Sequence, residues 1–507
     1  MKKYIAILAS ALLVFSACEK SFEVDQTSVL TGSNAAAMVE SDPEFLASYV
    51  NGFYAYMVQF STGGRGDHDD FGYLSLGMIT DLMCQDIAVR GSWNWGTYDI
   101  NCDYGAFNYQ RPYQFWNFCY TLISKANEVI DFFGVEDPTN AKLQGYLGQA
   151  YAIRIMAYMS LINIFQDCFT GTWEAKDMKF DPSKPAVPLV FATRDGKTAE
   201  EVDALSGRNT LADIQEHIEY NIEKALPLLK NYTRSSKNEI SYEVAQGLAA
   251  RYYLFTQQWE KAKEAAKAAQ NGFDLMDQTR LMSGFKEIND NEVMWGFNHT
   301  TETQTTYASF FSHMSNENSG YGGVGQSIRC IDASLYAQIP SSDYRKALFN
   351  TAKGDAKAAT VGAQEPYASR KFGYDANWLQ DYTFMRAAEM YLIEAEAEVM
   401  LGEDAKAAYG ALVSKRDPAY LAISPKLEDV YLQRRIELWG EGFNFFDLRR
   451  LCLTVDRTYE GTNHLAAAQY KWAAHNICFN FQIPRQEMQN NTHITELEQN
   501  EWETGAQ

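Results

Sequence analysis

Helix-forming segments that come in pairs are the feature that most constrains the fold of this chain. Residues 241–256 (SYEVAQGLAARYYLFT) carry apolar side chains at helical spacing, and residues 259–270 (WEKAKEAAKAAQ) follow almost at once. A matching pair covers 383–401 and 404–414 and is joined by Gly402. Small alanines fall where the two helices of a pair would approach, and a large aromatic residue or a leucine lies a turn away. The pattern predicts a scaffold of stacked helix pairs.

The distribution of small and large side chains in these pairs resembles tetratricopeptide packing, although an ordinary helical bundle would show nearly the same periodicity. Prolines are few, 12 in 507 residues, which favours a compact and mostly helical protein. Further helices are predicted at about 42–54, 113–132, 141–165 and 210–230, and the last of these opens with Thr210 and Asp213 in capping-box spacing. The expected fold is therefore mostly α, with tetratricopeptide-like helix pairs as the scaffold and a loop-rich lobe beside it.

Three long irregular segments, about 58–112, 166–208 and 272–380, lie between the predicted helices and are rich in Gly, Asn, Thr, Tyr and Trp. Aromatic residues make up 14% of the chain, and these segments hold many of them. Loops of this length in a compact protein are usually functional. We expect the aromatic residues at helical spacing to pack the scaffold, and those in the loops to include a binding surface.

The first residues are typical of a secretory signal. Lys2 and Lys3 precede a short apolar stretch that is too short to span a bilayer as a mature helix, and small residues then precede Cys18. A cysteine directly after such a cleavage site resembles the bacterial lipoprotein pattern, in which the cysteine is lipidated. The sequence therefore predicts a signal peptide over 1–17 and a lipid on Cys18.

Residues 18–40 are polar and small and are expected to act as a tether, and 41–507 are expected to form a single folded unit with loop-rich insertions. The seven cysteines after Cys18 are odd in number and contain no CxxC pair, so neither a disulfide framework nor a zinc site is indicated. Cys84 and Cys102, on either side of an aromatic loop, are the one pair at which a bridge is worth testing.

Charge and motifs exclude several classes of function. The net charge of −21 would repel a polyanion, so nucleic acid is not an expected partner. Gly320, Gly322 and Gly325 satisfy GxGxxG, but no buried strand precedes them, and a dinucleotide site needs strand, turn and helix. Residues 67–70 (DHDD) are expected to form a solvated acidic turn, with an incidental calcium ion as the alternative. No metal site, cofactor or catalytic residue is predicted.

The segment 434–450, RRIELWGEGFNFFDLRR, is the most specific motif of the chain. It combines paired basic residues, E-L, E-G and D-L-x-R, and in this respect resembles the SusD/RagB family of surface lipoproteins. Weaker matches follow the family's order along the chain; they are Trp116 to Asn127, Gln149 to Phe165 with Arg154 and Tyr158, Asp343 to Arg345, Arg386 with Glu394 and Glu396, and Ile483 to Trp502. The resemblance implies the helical scaffold with a loop-rich lobe expected above.

The motif itself is expected to stabilise the scaffold rather than to catalyse a reaction. Glu437 and Glu441 are four residues apart on one helix face and would repel each other. An arginine nearby, such as Arg434 or Arg386, would stabilise both, because its guanidinium pairs with carboxylates through two parallel hydrogen bonds.

The resemblance places the ligand surface in the segment after Asp81, which is similar to a family stretch of acidic residues, Arg-Gly and Trp. The candidate ligand-binding residues there are Asp86, Arg90, Trp93, Asn94, Trp95 and Tyr98. Sugar rings pack on flat aromatic side chains, and sugar hydroxyls need polar partners, so the composition suits a glycan. A second loop, 297–327, is placed on the same side, and Tyr321 is the candidate chosen from it.

The resemblance implies a non-catalytic lipoprotein on the outer face of the outer membrane. It would bind a glycan or oligosaccharide and pass it to a SusC-like TonB-dependent barrel, over which it would close as a lid. A peptide ligand is the alternative within the same family. A surface glycoside hydrolase is the alternative of another class, and hydrolysis abolished by a single carboxylate substitution would identify it.

Overall fold

The computed structural model describes residues 39, 42–91, 97–134 and 136–503 of this chain. The predicted signal peptide, Cys18 and nearly all of the predicted tether lie outside the described residues. Within the described ranges, no helix has both the length and the apolar character needed to cross a bilayer.

Helices dominate the described residues. In chain order they are α1 (Glu44–Met57), α2 (Tyr73–Leu82), α3 (Thr97–Ile100), α4 (Gln110–Asp131), α5 (Ala141–Phe165), α6 (Ala199–Ala204), α7 (Leu211–Leu229), α8 (Tyr242–Phe255), α9 (Trp259–Ala269), α10 (Gln278–Leu281), α11 (Phe310–Met314), α12 (Ala333–Gln338), α13 (Val361–Gln364), α14 (Ala387–Leu401), α15 (Lys406–Arg416), α16 (Leu427–Glu437), α17 (Asn444–Arg450) and α18 (Arg485–Asn490). Short 3-10 turns lie at Thr193–Asp195, Tyr344–Leu348, Ala466–Ala468, Ile477–Phe479 and Glu496–Glu498.

The strands are short and pair in twos. They are β1 (Ile87–Arg90), β2 (Phe169–Thr170), β3 (Lys179–Phe180), β4 (Val293–Phe297), β5 (Ile328–Ile331), β6 (Tyr382–Arg386), β7 (Val455–Asp456) and β8 (Lys471–Trp472). The four antiparallel pairs are β1 with β5, β2 with β3, β4 with β6 and β7 with β8. The mostly α fold class is thus confirmed, and the strand pairs lie largely in the segments predicted to be irregular.

Successive helices stack against one another in the order expected for a repeat scaffold. Helix α5 packs between α4 and α7, α8 forms a hairpin with α9, and α9 packs on α14, which forms the next hairpin with α15. The two predicted helix pairs are therefore confirmed as α8–α9 and α14–α15. Gly402 ends α14 in the left-handed conformation, with φ of 75°, which glycine adopts without steric cost.

Local sequence signals account for several helix ends. The Thr210 hydroxyl accepts a hydrogen bond from the Asp213 backbone N–H at 3.2 Å, as the predicted capping box requires. Asp42 accepts from the Glu44 backbone N–H at 3.0 Å, and α1 begins at Glu44, after Pro43. Helix α14 begins at Ala387 rather than near 383, because residues 382–386 form β6 against β4.

All seven cysteines after Cys18 are buried free thiols, Cys84 and Cys102 included. Burial raises the pKa of the Cys84 thiol well above its usual range, which keeps the group neutral and unreactive. The cysteines therefore contribute to the core as small apolar side chains.

Candidate ligand-binding surface

The strand pair β1–β5 brings together the two loop segments that were predicted separately as ligand-side. Arg90, the last residue of β1, lies opposite Ile328, the first residue of β5. Gly91 follows with φ of 127°, and a Cβ atom there would lie 2.5 Å from the Gly325 carbonyl oxygen. Only glycine allows the two backbones to approach this closely. Gly91 therefore lies directly beside the turn 320–326.

Arg90 forms a solvent-accessible ion pair with Glu365. Its Nε atom donates to the Glu365 carboxylate at 3.2 Å, and the two side chains are 37% and 29% exposed. An exposed pair of this kind contributes little to stability, because water screens it. Both groups can therefore exchange their mutual hydrogen bond for one to a ligand at little cost.

Tyr321 is mostly buried, with 8% of its surface exposed. Its hydroxyl lies 2.8 Å from His68 Nδ1, and its ring stacks on the His313 ring with centroids 4.8 Å apart. The neighbouring ring of Tyr307, 5.8 Å from that of Tyr321, is 47% exposed. Tyr321 thus supports an exposed aromatic side chain, and Tyr307 is the ring that solvent reaches.

Two exposed valines lie in the segments that surround Gly325. Val324 in the turn 320–326 and Val361 at the start of α13 are both exposed. A Cβ atom added to Gly325 would lie 2.9 Å from Val361 Cγ1, so the turn and α13 are in direct contact. We name the surface formed by Arg90, Tyr307, Val324, Val361 and Glu365 the loop-lobe surface. It combines exposed apolar area with one carboxylate and one guanidinium.

Asp86 has a structural role, unlike the ligand contact predicted from the sequence. It is buried, and its carboxylate accepts from Arg435 Nε at 3.0 and 3.1 Å. Its carbonyl oxygen accepts from Trp439 Nε1 at 2.8 Å. Burial raises the pKa of Asp86, and the Arg435 guanidinium opposes that rise. The carboxylate faces α16 and ties β1 to the 434–450 motif.

The other sequence candidates in this segment are not all within the described residues. Trp93, Asn94 and Trp95 lie outside them, and for Tyr98 the structure gives the backbone, in α3, but not the side chain. These four residues remain predictions. Gly91, the last described residue before Trp93, lies beside the turn 320–326 of the second predicted loop.

A second group of exposed aromatic side chains follows α3 and was not singled out from the sequence. Tyr104 and Phe107 are partly exposed, the Tyr109 ring lies 4.4 Å from that of Tyr104, and the Arg485 guanidinium lies 5.3 Å above the Phe107 ring. The interleaving of Tyr and Phe with Asn and Gly in this stretch is the same signal that marked the tryptophan segment. The same composition in residues 101–109 could have identified this second group as a candidate binding surface.

The prediction of a solvated acidic turn at 67–70 is wrong for Asp69 and Asp70, which are buried and make internal contacts. Asp69 pairs with Arg111, which also binds the Asp99 carboxylate at 2.8 Å. Asp70 accepts from the Thr62 hydroxyl at 2.7 Å and from the Gly63 backbone N–H at 2.6 Å. Within the residues the structure describes, no group of three or more His, Cys, Asp or Glu side chains is placed to hold a metal ion.

The 434–450 motif forms a buried ion network, as predicted, and Arg386 is the one of the two candidate arginines that pairs with its glutamates. Arg386 donates to Glu437 at 3.0 Å and to Glu441 at 2.7 Å, so one arginine joins both carboxylates. Arg434, the other candidate, pairs with Asp447 at 2.8 Å instead. Burial alone would raise the pKa of Glu437, but Arg416, Arg386 and Arg345 hold it well below its usual range.

Sequence reasoning missed several members of this network, Lys371 among them. Arg416, at the end of α15, donates to Glu437 at 2.9 Å, and Glu292, just before β4, accepts from Arg416 at 2.9 Å. Neither belongs to a recognisable motif. Electrostatics gave the one indication that further cations are present, because two buried carboxylates in apolar surroundings need more than one cation.

The comparison with known proteins agrees with this architecture. Residues 62–254 match a family model described as "Starch-binding associating with outer membrane", and residues 351–502 match the SusD family model. The SusD-like protein P2 of Formosa agariphila is 23% identical to this chain, over 89% of this chain and 91% of the relative.

Solved structures show the same fold. A SusD-like carbohydrate binding protein from Bacteroides vulgatus has a TM-score of 0.74 at 22% identity, with 92% of this chain and 99% of that chain covered. Surface glycan-binding protein A from Bacteroides uniformis has a TM-score of 0.66 at 17% identity, with 90% of this chain and 99% of that chain covered. The family models, the ordered motifs and this shared architecture agree, and the chain belongs to the SusD family.

Proposed function

We propose that this protein is a non-catalytic, cell-surface glycan-binding lipoprotein. The observation that carries the proposal is the loop-lobe surface, where an exposed tyrosine ring and exposed valines lie beside a weakly held arginine–glutamate pair. Apolar ring faces of a sugar can pack on Tyr307, while Arg90 and Glu365 offer a donor and an acceptor to its hydroxyls. Trp93, Asn94, Trp95 and Tyr98 are proposed as further members of this surface.

The carboxylates near the surface support binding rather than hydrolysis. Glu365 pairs with Arg90, and Glu317 and Asp355 both pair with Arg370, at 3.0 and 3.4 Å. A glycosidase needs one carboxyl group that is protonated and a second that attacks or activates water. Each of these three carboxylates already has an arginine partner, an arrangement that presents hydrogen-bond acceptors to a ligand.

The remaining parts of the proposal follow from family membership and from the sequence. Cys18 would carry a lipid that anchors the protein to the outer membrane, and the loop-rich lobe would present glycan to a SusC-like TonB-dependent barrel. Co-purification from detergent-solubilised outer membranes tests the partner. Recovery of a large barrel protein is expected, and a lipoprotein that always purifies alone would contradict this part of the proposal.

Retardation in native gels that contain a soluble polysaccharide tests the binding surface. The gels would contain starch, a β-glucan, an α-mannan or a pectin, and a protein digest in solution would serve as the peptide competitor. Retardation by at least one polysaccharide is expected. Tyr307→Ala should weaken that binding by about tenfold, because the substitution removes a stacking surface.

Tyr104→Ala is the matched control, because it removes a similarly exposed ring from the group that follows α3. Retention of binding in Tyr104→Ala together with loss in Tyr307→Ala assigns glycan to the loop-lobe surface. Loss only in Tyr104→Ala would move the site to residues 101–109. Binding that only the protein digest displaces would favour the peptide alternative.

A further inference from the structure

A cavity of about 270 Å³ lies within the helical scaffold, away from the loop-lobe surface. Its walls come from the segment before the 3-10 turn Thr193–Asp195, from the chain after α6 and from one face of α7. The residues that carry the argument below are Phe191, Lys197, Asp213, Glu216, His217 and Tyr220. Ligand cavities for larger organic molecules run from about 300 to 1,000 Å³, so this volume suits a smaller ligand.

The floor of the cavity holds a histidine whose tautomer is fixed by its neighbour. His217 is 6% exposed, and its Nε2 atom lies 2.7 Å from Arg154 Nη2. A guanidinium only donates hydrogen bonds, so Nε2 must accept and the ring proton must lie on Nδ1. Burial and the Arg154 charge lower the pKa of His217 well below its usual range, so the ring stays neutral.

The Nδ1–H group of His217 makes no hydrogen bond to the side chains and backbone atoms that the structure describes, and His217 lines the cavity, so this donor is open to whatever the cavity holds. Water can accept this hydrogen bond when the cavity holds no ligand. A ligand hydroxyl placed at the same point would take over the hydrogen bond from that water.

The rim of the cavity supplies further polar groups and two flat rings. Glu216 is exposed, and its carboxylate makes no hydrogen bond or ion pair within the described ranges. Asp213 uses Oδ2 for the helix cap at Thr210, with contacts of 2.8 and 2.6 Å, which leaves Oδ1 for other partners. The rings of Phe191 and Tyr220 stand on two sides of His217, with centroids 5.1 and 6.4 Å from the imidazole.

We propose that this cavity is a second ligand site, which binds a neutral, hydroxyl-bearing molecule of about the size of one sugar ring. Hydroxyl groups can accept from His217 Nδ1–H and donate to Glu216 and Asp213 at the same time. Ring C–H groups can pack on Phe191 and Tyr220. The site lies on the scaffold and does not depend on the loop-lobe surface.

The charges around the cavity select against other small ligands. A carboxylate ligand would be repelled by Asp213 and Glu216, and Lys197 offsets only one of these charges. An amine would find carboxylates but could not accept the hydrogen bond from His217. A neutral polyol satisfies both kinds of group.

Saturation-transfer NMR on the whole mature protein tests this proposal, with D-glucose, D-galactose and D-mannose each supplied at millimolar concentration and glycine and L-lysine as amino acid probes. Transfer to at least one sugar is expected. Glu216→Ala should weaken that sugar's binding by about tenfold, because one hydrogen bond to the ligand is lost. Glu223→Ala, an equally exposed glutamate on the same helix, is the matched control and should bind as the wild type does.

His217→Phe removes the donor but keeps the ring volume, and it should abolish transfer where the variant retains its melting temperature; if this variant does not fold, Glu216→Ala still decides the test. Tyr307→Ala should leave transfer unchanged, and this separates the cavity from the loop-lobe surface. No transfer to any of the sugars, equal transfer in Glu216→Ala and Glu223→Ala, or transfer only to the amino acids would each overturn the proposal.

Discussion

Arginine–carboxylate pairs occur in two very different settings in this protein. In the core, Glu437 accepts from Arg345, Arg386 and Arg416 at 2.9 to 3.1 Å, and solvent reaches none of these side chains appreciably. At the loop-lobe surface, Arg90 and Glu365 form a single contact of 3.2 Å between partly exposed side chains. The same chemical groups thus stabilise the scaffold in one place and remain available to a ligand in the other. Burial, rather than residue type, decides between the two roles.

The largest effect is expected from Glu437→Ala. The substitution leaves three buried guanidinium groups without their shared carboxylate, and it should lower the free energy of unfolding by about 3–5 kcal/mol. Denaturant unfolding followed by circular dichroism measures this loss. Glu264→Ala, on the exposed face of α9, is the control and should change stability by no more than about 0.5 kcal/mol. Equal stability of the two variants would contradict the comparison.

Asp86→Ala should behave like a core substitution although Asp86 lies in the loop-rich lobe. It removes the partner of Arg435, and a loss of about 2 kcal/mol of unfolding free energy is expected. Asp67→Ala is the matched control in the same lobe, because the Asp67 side chain makes no hydrogen bond or ion pair within the described part of the chain. A variant with wild-type stability but weakened glycan binding would restore Asp86 as a ligand contact.

His475 and Asp167 lie between the two extremes of burial. The contact between Nδ1 and Oδ2 is 2.8 Å, and Lys184 also approaches Asp167, at 3.2 Å. A side-chain hydrogen bond to Asp167 raises the pKa of His475 to about 10. The raised pKa stabilises the fold fully below pH 6.5, and this stabilisation is lost as the pH rises towards 10.

The imidazole is partly exposed, so after solvent screening the effect should be about 1 kcal/mol or less. Melting temperatures measured from pH 6 to 10 should therefore fall more steeply for the wild type than for His475→Asn. Parallel curves would show that the pair contributes nothing.

The smallest effect on stability is expected from Arg90→Ala. An exposed single pair contributes about 0–1 kcal/mol, so the melting temperature should stay close to that of the wild type. Binding of the polysaccharide that retards the wild type should nevertheless weaken, because a hydrogen-bond donor to sugar hydroxyls is lost. A large loss of stability would show that Arg90 stabilises the fold, as the buried arginines do, and would contradict its role at the loop-lobe surface.

The scaffold was predictable because its signals are local. Alanine spacing in 241–270, the capping box at Thr210 and the glycine at position 402 each act within one or two helical turns. The motif 434–450 also gave the correct structural role for Glu437 and Glu441. The choice between Arg434 and Arg386 could not be made from sequence, because it depends on which helix ends meet in the core.

The candidate surface was predictable in region but not in residue. The resemblance to the family marked both 86–98 and 297–327, and the structure brings Gly91 beside the turn that holds Tyr321. Exposure decides which side chains meet a ligand, and it depends on packing between distant segments. Asp86 contacts Arg435, and Tyr321 stacks on His313. Neither contact can be predicted from the residues nearby in the sequence.

The pairing of β1 with β5 has a consequence for the order of folding. These two strands are separated by more than half of the helical scaffold along the chain, so their contact carries a large loop-closure entropy. The anchor of β1, Arg435 on α16, comes later still. The surface proposed for ligand therefore depends on folding of the chain as far as Arg435. A chain that ended before α16 would lack the residue that anchors this surface to the scaffold.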